Sequence, residues 1–282
     1  MVASSALAPL AVCVLYPRSR RRDVVVCALN MWGYISAYEM PYDDPDRLAS
    51  RARLKYPLVA DKVLGLGEIP TVRLQHAFST PGKVNRFERV LAWCHWLWFL
   101  VPHSSLAYVL LRRPERFGPA AARMYAVFDI GSVFYTLIPT APPWWVSAQG
   151  LSPAARGLSP PGEVAVRRMM VEYGPEFWGD LWEPLYDVLG GNPLAAMPSL
   201  HFATSLMAAH ALSEAGPVAG AVGWAYAATL GLALVYLGEH YLVDLMAGAA
   251  LQETVRRGAP RAAPAVRTLS LVLERLRRLA AD

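Results

Sequence analysis

Two histidines and one aspartate stand at spacings that chemistry could use. His240 and Asp244 are four residues apart in GEHYLVDLMAG, and His201 lies in PSLHFATS. On a helix, positions i and i+4 share a face, so Asp244 can accept a hydrogen bond from one ring nitrogen of His240. That bond fixes the tautomer and raises the basicity of the other nitrogen, which turns an imidazole into a nucleophile. Pro198–Ser199 reads as a helix start with Ser199 as N-cap. The free N–H groups of that first turn would suit a phosphate. The residue types leave two readings open: histidines that pack and hydrogen-bond, or a catalytic set. Ionisable groups inside apolar spans are expensive and mark function by default, and these three stand at the same end of their spans.

The elements that must position them are membrane helices. Hydrophobic residues make up 55% of the chain and charged residues 17%, against about 45–50% and about 25% in soluble domains. A span needs about 20 mostly apolar residues. Six segments qualify: 23–39, 90–111 with a kink expected at Pro102, 119–138 with Asp129 at mid-depth, 199–214, 217–237 and 240–256. The fold class expected is all-α, a polytopic six-transmembrane-helix bundle with interfacial amphipathic helices. Short connections make the last three spans antiparallel neighbours. The domains expected are a poorly defined leader over 1–22, a membrane catalytic domain over 23–257, and an Arg-rich amphipathic tail over 258–282. The leader carries its basic run after its apolar stretch, the reverse of a secretory signal.

Two long connections join the spans. The stretch 40–88 is polar and mixed in charge, which suggests amphipathic helices on the membrane surface. The stretch 139–198 contains PTAPPWW, LSPAARGLSPPGE and FWGDLWEPLY, whose tryptophans suit a membrane interface. Arg112, Arg113 and Arg116 put the loop between the second and third spans in the cytoplasm by the positive-inside rule. The 40–88 loop then lies outside despite its basic residues, and the rule is weakest for long loops. PTAPPWW, PSLH and GEHYLVD all face the non-cytoplasmic side on this topology. Nucleic acid is excluded as a partner, because the Arg clusters flank apolar spans. Cys13, Cys27 and Cys94 are odd in number and form no CxxC pair, so no disulfide framework is expected. His76, His95, His103 and His210 have no partner at useful spacing and read as structural. The aromatic run of the second span (Trp93, Trp96, Trp98, Phe99) reads as a packing or lipid-facing stripe.

PSLHFATS and GEHYLVDLMAG resemble the second and third signature motifs of the type-2 phosphatidic acid phosphatase superfamily. Motif order, a gap of about 40 residues and the six-helix layout fit over most of 88–257. The resemblance implies a metal-independent reaction without cofactor. His240 would attack phosphorus to form a phosphohistidine, Asp244 would orient it, and His201 would protonate the departing oxygen and then act as base for the acceptor. Two expected cations are missing. Ala233 and Leu234 occupy the places of the Ser-Arg pair, and FYTLIPTAPPWW takes the place of the Lys-containing first motif. This pattern resembles the branch with inositol phosphorylceramide synthases. It implies a lipid phosphotransferase that moves a phosphoryl head group from a phospholipid donor to an alcohol. The alternatives are a lipid phosphate phosphatase with water as acceptor, or a non-catalytic scaffold or transporter. Phosphate charge would be met by the histidines, backbone N–H groups and Arg167 or Arg168, if these arginines are not simply solvated. Glu239 could bind an acceptor hydroxyl or face water. Asp129 could hold a neighbouring helix or a polar substrate.

The chain is expected to sit in the plasma membrane with its site on the non-cytoplasmic face. Neither motif offers a carboxylate cluster for a hard cation. Activity should therefore survive EDTA, and loss on chelation with recovery on adding magnesium would rule out the phosphohistidine route.

Overall fold

Prolines mark where the helices begin. Pro45, Pro70, Pro102, Pro114 and Pro217 each occupy a first helical turn, where the missing N–H would have had no intrahelical partner anyway. The structure, a computed structural model, describes residues 2–80, 82–148, 166–189 and 191–281, and the segment LSPAARGLSPPGE lies outside the described residues. The helices are α1 (Val2–Leu15), α2 (Arg20–Glu39), α3 (Pro45–Arg51), α4 (Lys55–Leu64), α5 (Pro70–Phe78), α6 (Arg86–Trp96), α7 (Val101–Arg112) and α8 (Pro114–Leu137). They continue with α9 (Pro143–Ala148), α10 (Met169–Trp178), α11 (Trp182–Leu189), α12 (Leu200–Ala215), α13 (Pro217–Tyr236) and α14 (Leu242–Ala281). Among the described residues the fold is all-α, with only isolated bridges and no strand.

The main core is formed by α7, α8, α12, α13 and α14. Met124, Phe128, Leu200, Met207, Leu230 and Leu234 fill it and are almost wholly buried. Ala203, Ala208 and Ala211 on α12 belong to the same core, and such small residues let helices approach closely. Among the described residues, one helix is long and apolar enough to cross a membrane by itself, Pro217–Tyr236. A second qualifies if Arg86–Phe99 and Val101–Arg112, bent by 56°, count as one broken span. The bend falls at Leu100, just before Pro102, where the sequence places a kink.

Several expected boundaries move. The leader region contains a helix, α1, which packs against α2 and α14, while Leu7, Leu10 and Leu15 stay exposed. The tail is continuous with α14 and runs through Pro260 and Pro264 without a break. Ala, Leu and Arg dominate that stretch, and their helix propensity carries it past the two missing N–H groups. The 40–88 stretch does form short helices, but their inner faces are committed. Leu58 and Asp61 of α4 and Thr71, Val72 and Gln75 of α5 are buried.

Three connections are knitted together at one end of the bundle. Arg53 N–H donates to Pro139 O at 2.7 Å, Thr140 N–H to Leu194 O at 2.7 Å, and Ala196 N–H to Thr140 O at 3.1 Å. PTAPPWW is thereby held between the entry to α4 and the approach to α12. At the other end Arg116 donates to Glu214 O at 3.0 Å and Arg123 pairs with the Glu214 carboxylate at 2.9 Å.

Near the first end, α14 comes close to the start of α12. A Cβ on Gly248 would lie 2.5 Å from Ser199 O, too close without a shift of backbone. Gly248→Ala should cost about 1–3 kcal/mol, the usual penalty of overpacking, read as a lowered thermal midpoint in detergent. A midpoint equal to that of the unsubstituted chain would show that the two helices do not meet here.

Candidate active site

α12 begins at Leu200 because its first turn is capped several times over. Ser199 Oγ accepts from Phe202 N–H at 3.3 Å. The Tyr135 hydroxyl donates to Pro198 O at 2.9 Å and accepts from Leu200 N–H at 3.3 Å. Ser199 N–H donates to Asp244 O at 3.0 Å, so the two motifs are joined backbone to backbone. Ser199 is fully buried, with its hydroxyl committed to the cap.

His240 sits in the turn between α13 and α14. Gly238, at φ +80°, reverses the chain there. Glu239 and His240 then both donate their N–H groups to Leu234 O, at 3.1 and 3.0 Å. Trp144 N–H donates to Gly238 O at 3.1 Å, which places PTAPPWW beside this turn. At the head of α14, Asp244 Oδ2 accepts from Tyr241 N–H at 2.9 Å.

These elements bring His201, His240 and Asp244 together at one end of the bundle. His240 Nε2 lies 3.2 Å from His201 Nδ1. On the other edge of the ring, His240 Nδ1 lies 3.5 Å from Asp244 Oδ2, longer than a hydrogen bond. His240 Nδ1 and Asp244 Oδ1 have no hydrogen-bond partner among the described residues, so a small contraction would close the pair. Catalytic hydrogen bonds are often long before substrate arrives. The proton inventory follows from the neighbours. His240 carries its proton on Nδ1, toward the carboxylate. Its Nε2 lone pair then faces His201, whose Nδ1–H donates to it. These tautomers are assigned from the network. The arrangement is an oriented imidazole with its free nitrogen aimed at a second imidazole.

The His201 ring is packed by Trp98, with centroids 4.1 Å apart, and by His95, stacked at 4.9 Å. His95 is therefore not a distant structural residue. It is nine-tenths buried, and its Nδ1 has no hydrogen-bond partner among the described residues. Its one sequence signal is position, a lone imidazole within the aromatic run WCHWLW. Trp98 anchors its own ring by donating from Nε1 to Thr204 Oγ1 at 2.9 Å, one turn below His201. The other histidines lie elsewhere. His210 meets Trp224 edge-on, His103 stacks on Phe128, and His76 is exposed near Glu68.

The remaining sequence-predicted residues separate into two groups. Glu239 and Arg168 meet beside His240, with Arg168 Nε 3.2 Å from Glu239 Oε1. The Arg168 guanidinium lies over the Trp144 ring at 3.5 Å and donates to the Tyr186 hydroxyl. Arg167 turns away. It pairs with Glu172 and donates to Thr80 O at 2.9 Å and Lys83 O at 3.2 Å. Asp129 stands on an exposed face of α8, and its carboxylate has no partner among the described residues. Among the described residues, no group of three or more His, Cys, Asp and Glu side chains is arranged to hold a metal ion.

Two supports were missed in the sequence. Gln75 donates to Arg167 O at 3.0 Å and Tyr236 O at 2.8 Å, and accepts from Arg167 N–H at 2.8 Å. It thereby ties the connection carrying Arg168 to the end of α13. Asp61 reaches the head of α14. Their signal was legible: Leu58 with Asp61, and Val72 with Gln75, stand three apart and share the apolar face of a short helix.

A family model described as the PAP2 superfamily matches residues 71–253, well over half of the chain. An inositol phosphorylceramide synthase from Candida albicans is 30% identical over 168 residues, covering 57% of this chain and 34% of that protein. The catalytic subunit of inositol phosphorylceramide synthase from Schizosaccharomyces pombe is 28% identical over 163 residues, covering 55% of this chain and 37% of that protein. The match thus spans only about a third of the length of either relative. No solved structure matches.

Proposed function

This chain belongs to the PAP2 superfamily, and on that premise we propose that it is a membrane lipid phosphotransferase working through a phosphohistidine. The observation that carries the reading is His240 Nε2 facing His201 Nδ1 at 3.2 Å, with the Asp244 carboxylate behind the first ring. His240 Nε2 attacks phosphorus of a phospholipid, and the bond from phosphorus to the glyceride oxygen breaks. His201, as imidazolium, gives that oxygen its proton. The head-group phosphate stays on His240. Neutral His201 then takes the proton of an incoming alcohol, whose oxygen attacks phosphorus and frees His240. Asp244 holds the Nδ1 proton and stabilises positive charge on the ring throughout.

A phosphorus centre in line between the two nitrogens needs more than 3.2 Å. The His201 ring therefore turns aside when substrate enters, while His240 stays held by its backbone bonds. Both matched relatives are named as synthases, which supports an alcohol acceptor over water. Six membrane-crossing helices are read as α2, the broken pair α6–α7, α8, α12, α13 and the first part of α14. The basic end at Arg112, Arg113 and Arg116 is then cytoplasmic, and the site opens on the other face, expected to be outside the plasma membrane.

Arg168 is the cation best placed to replace those missing from the motifs. It neighbours His240 through Glu239, and its guanidinium retains donor capacity for a phosphate oxygen. Arg167 is committed to its own contacts. Arg168→Ala should raise KM for the donor lipid about 10–100-fold, the worth of one charge-assisted bond. Arg167→Ala should lower stability and leave KM near normal. Equal KM effects in the two variants would remove Arg168 from the phosphate site.

Trapping tests the mechanism. Wild-type protein quenched during turnover should carry an acid-labile, base-stable phosphoryl group on His240. His240→Ala should form none and lose turnover. His201→Ala and Asp244→Asn should each lose about 10²–10⁴-fold, and His201→Ala should lose least with a donor bearing a good leaving group. Near-normal turnover in His240→Ala would place the nucleophile elsewhere. With labelled donor, a new phospholipid would mark transfer, and inorganic phosphate would mark hydrolysis.

A further inference from the structure

At the start of α14 three N–H groups, of Tyr241 just before the helix and of Leu242 and Val243 in its first turn, have no intrahelical acceptor, and two carboxylates divide them. Asp244 Oδ2 takes Tyr241 N–H. Asp61, from α4 and 181 positions earlier in the chain, takes the other two: Leu242 N–H to Oδ2 and Val243 N–H to Oδ1, each at 2.9 Å. Asp61 is fully buried. A carboxylate at a helix N-terminus is favourable, both for the bonds and for the macrodipole. Helices usually obtain such a cap from their own preceding residue. Here the preceding positions are His240 and Tyr241, and neither offers an acceptor oxygen placed to do it.

From this geometry we propose that Asp61 is a positioning residue of the active site, which keeps Asp244 free to orient His240. Asp244 is the other carboxylate facing Asp61, and it already accepts from Tyr241 N–H, beside the Leu242 and Val243 N–H groups. Without Asp61, those unpaired donors draw the Asp244 carboxylate into the helix cap and away from His240 Nδ1. The separation there is already 3.5 Å, so a small rotation of the carboxylate ends its hold on the tautomer. Burial pushes the Asp61 carboxyl up to about 6, while its two backbone bonds pull it down. The titratable groups facing it are Asp244 and the Tyr241 phenol. Asp61 lies before the residues that the family model matches.

The inference rests on His240 being the nucleophile, and the experiment separates the two claims. Asp61→Asn and Asp61→Ala should be compared with His240→Ala in full-length protein in detergent. Rates should be normalised to folded, monodisperse enzyme. The expected result is a fall in kcat of about 10–100-fold, the scale of a small misplacement at a reacting centre, with donor KM changed less than about 3-fold. In ¹⁵N-histidine spectra, the His240 signal, identified by its loss in His240→Ala, should move from the Nδ1–H tautomer toward a mixture. Asn retains one acceptor and should sit between Ala and wild type. If His240→Ala is inactive but both Asp61 variants keep normal kcat and tautomer per folded molecule, Asp61 serves stability alone. An active His240→Ala would instead overturn the mechanism beneath it. Should Asp61→Ala not fold, Asp61→Asn decides through the same two readouts.

Discussion

The backbone hydrogen bond from Ser199 N–H to Asp244 O, at 3.0 Å, joins the two motifs that the site is made of. It ties the approach to α12 to the first turn of α14, and Gly248 lets the helices come close enough to make it. His201 lies two residues beyond one end of the bond and His240 four residues before the other. Their mutual placement is therefore set by backbone atoms, which are stiffer than side chains. Everything else near the site can be understood as holding this junction in register. Tyr135 braces the Pro198–Leu200 segment from α8, the Leu234 carbonyl holds His240, and Trp144 pins the Gly238 turn.

A second constraint is that polar backbone at such a junction must find partners away from water. The connections supply them. Asp61 and Gln75 come from a segment that is polar in sequence and Thr140 from the Pro- and Trp-rich connection, yet each is buried and bonded to backbone near the motifs. Glu88 plays a similar part at the head of α6, where it closes a capping box with Asn85 and accepts from the Tyr236 hydroxyl at 3.0 Å. The loops thus help to hold in place the helices that carry the two motifs. This gives the short helices of 40–88 a role beyond covering a membrane surface.

Charge is distributed unevenly around the histidines. Glu239 lies on the Arg168 side and Asp244 on the other, with Asp61 behind it. The rings of His95 and Trp98 pack against His201. The Asp244 carboxylate thus stands beside one imidazole, His240, and the aromatic rings against the other, His201. Arg168 is stacked on Trp144 and paired with Glu239 beside His240.

What the sequence determined by itself was local. Helical periodicity and the nearness of His240 to Asp244 depend only on neighbours along the chain, so they were legible without a fold, although His240 stands in the turn before α14 and its ring lies 3.5 Å from the carboxylate. The Ser199 cap was legible for the same reason. The tertiary structure decided what depends on which segments meet. It separated Arg168 from its neighbour Arg167, which sequence treats alike, by pointing one at Glu239 and the other at Glu172. It stacked His95 on His201 and brought Asp61 to the head of α14 from 181 residues away. It left Asp129 on an outer face of α8, outside the site. Such placements follow from helix packing and rotation about each axis. Spacing along one chain fixes the face a residue shares with its own helix, but not the helix that face will meet.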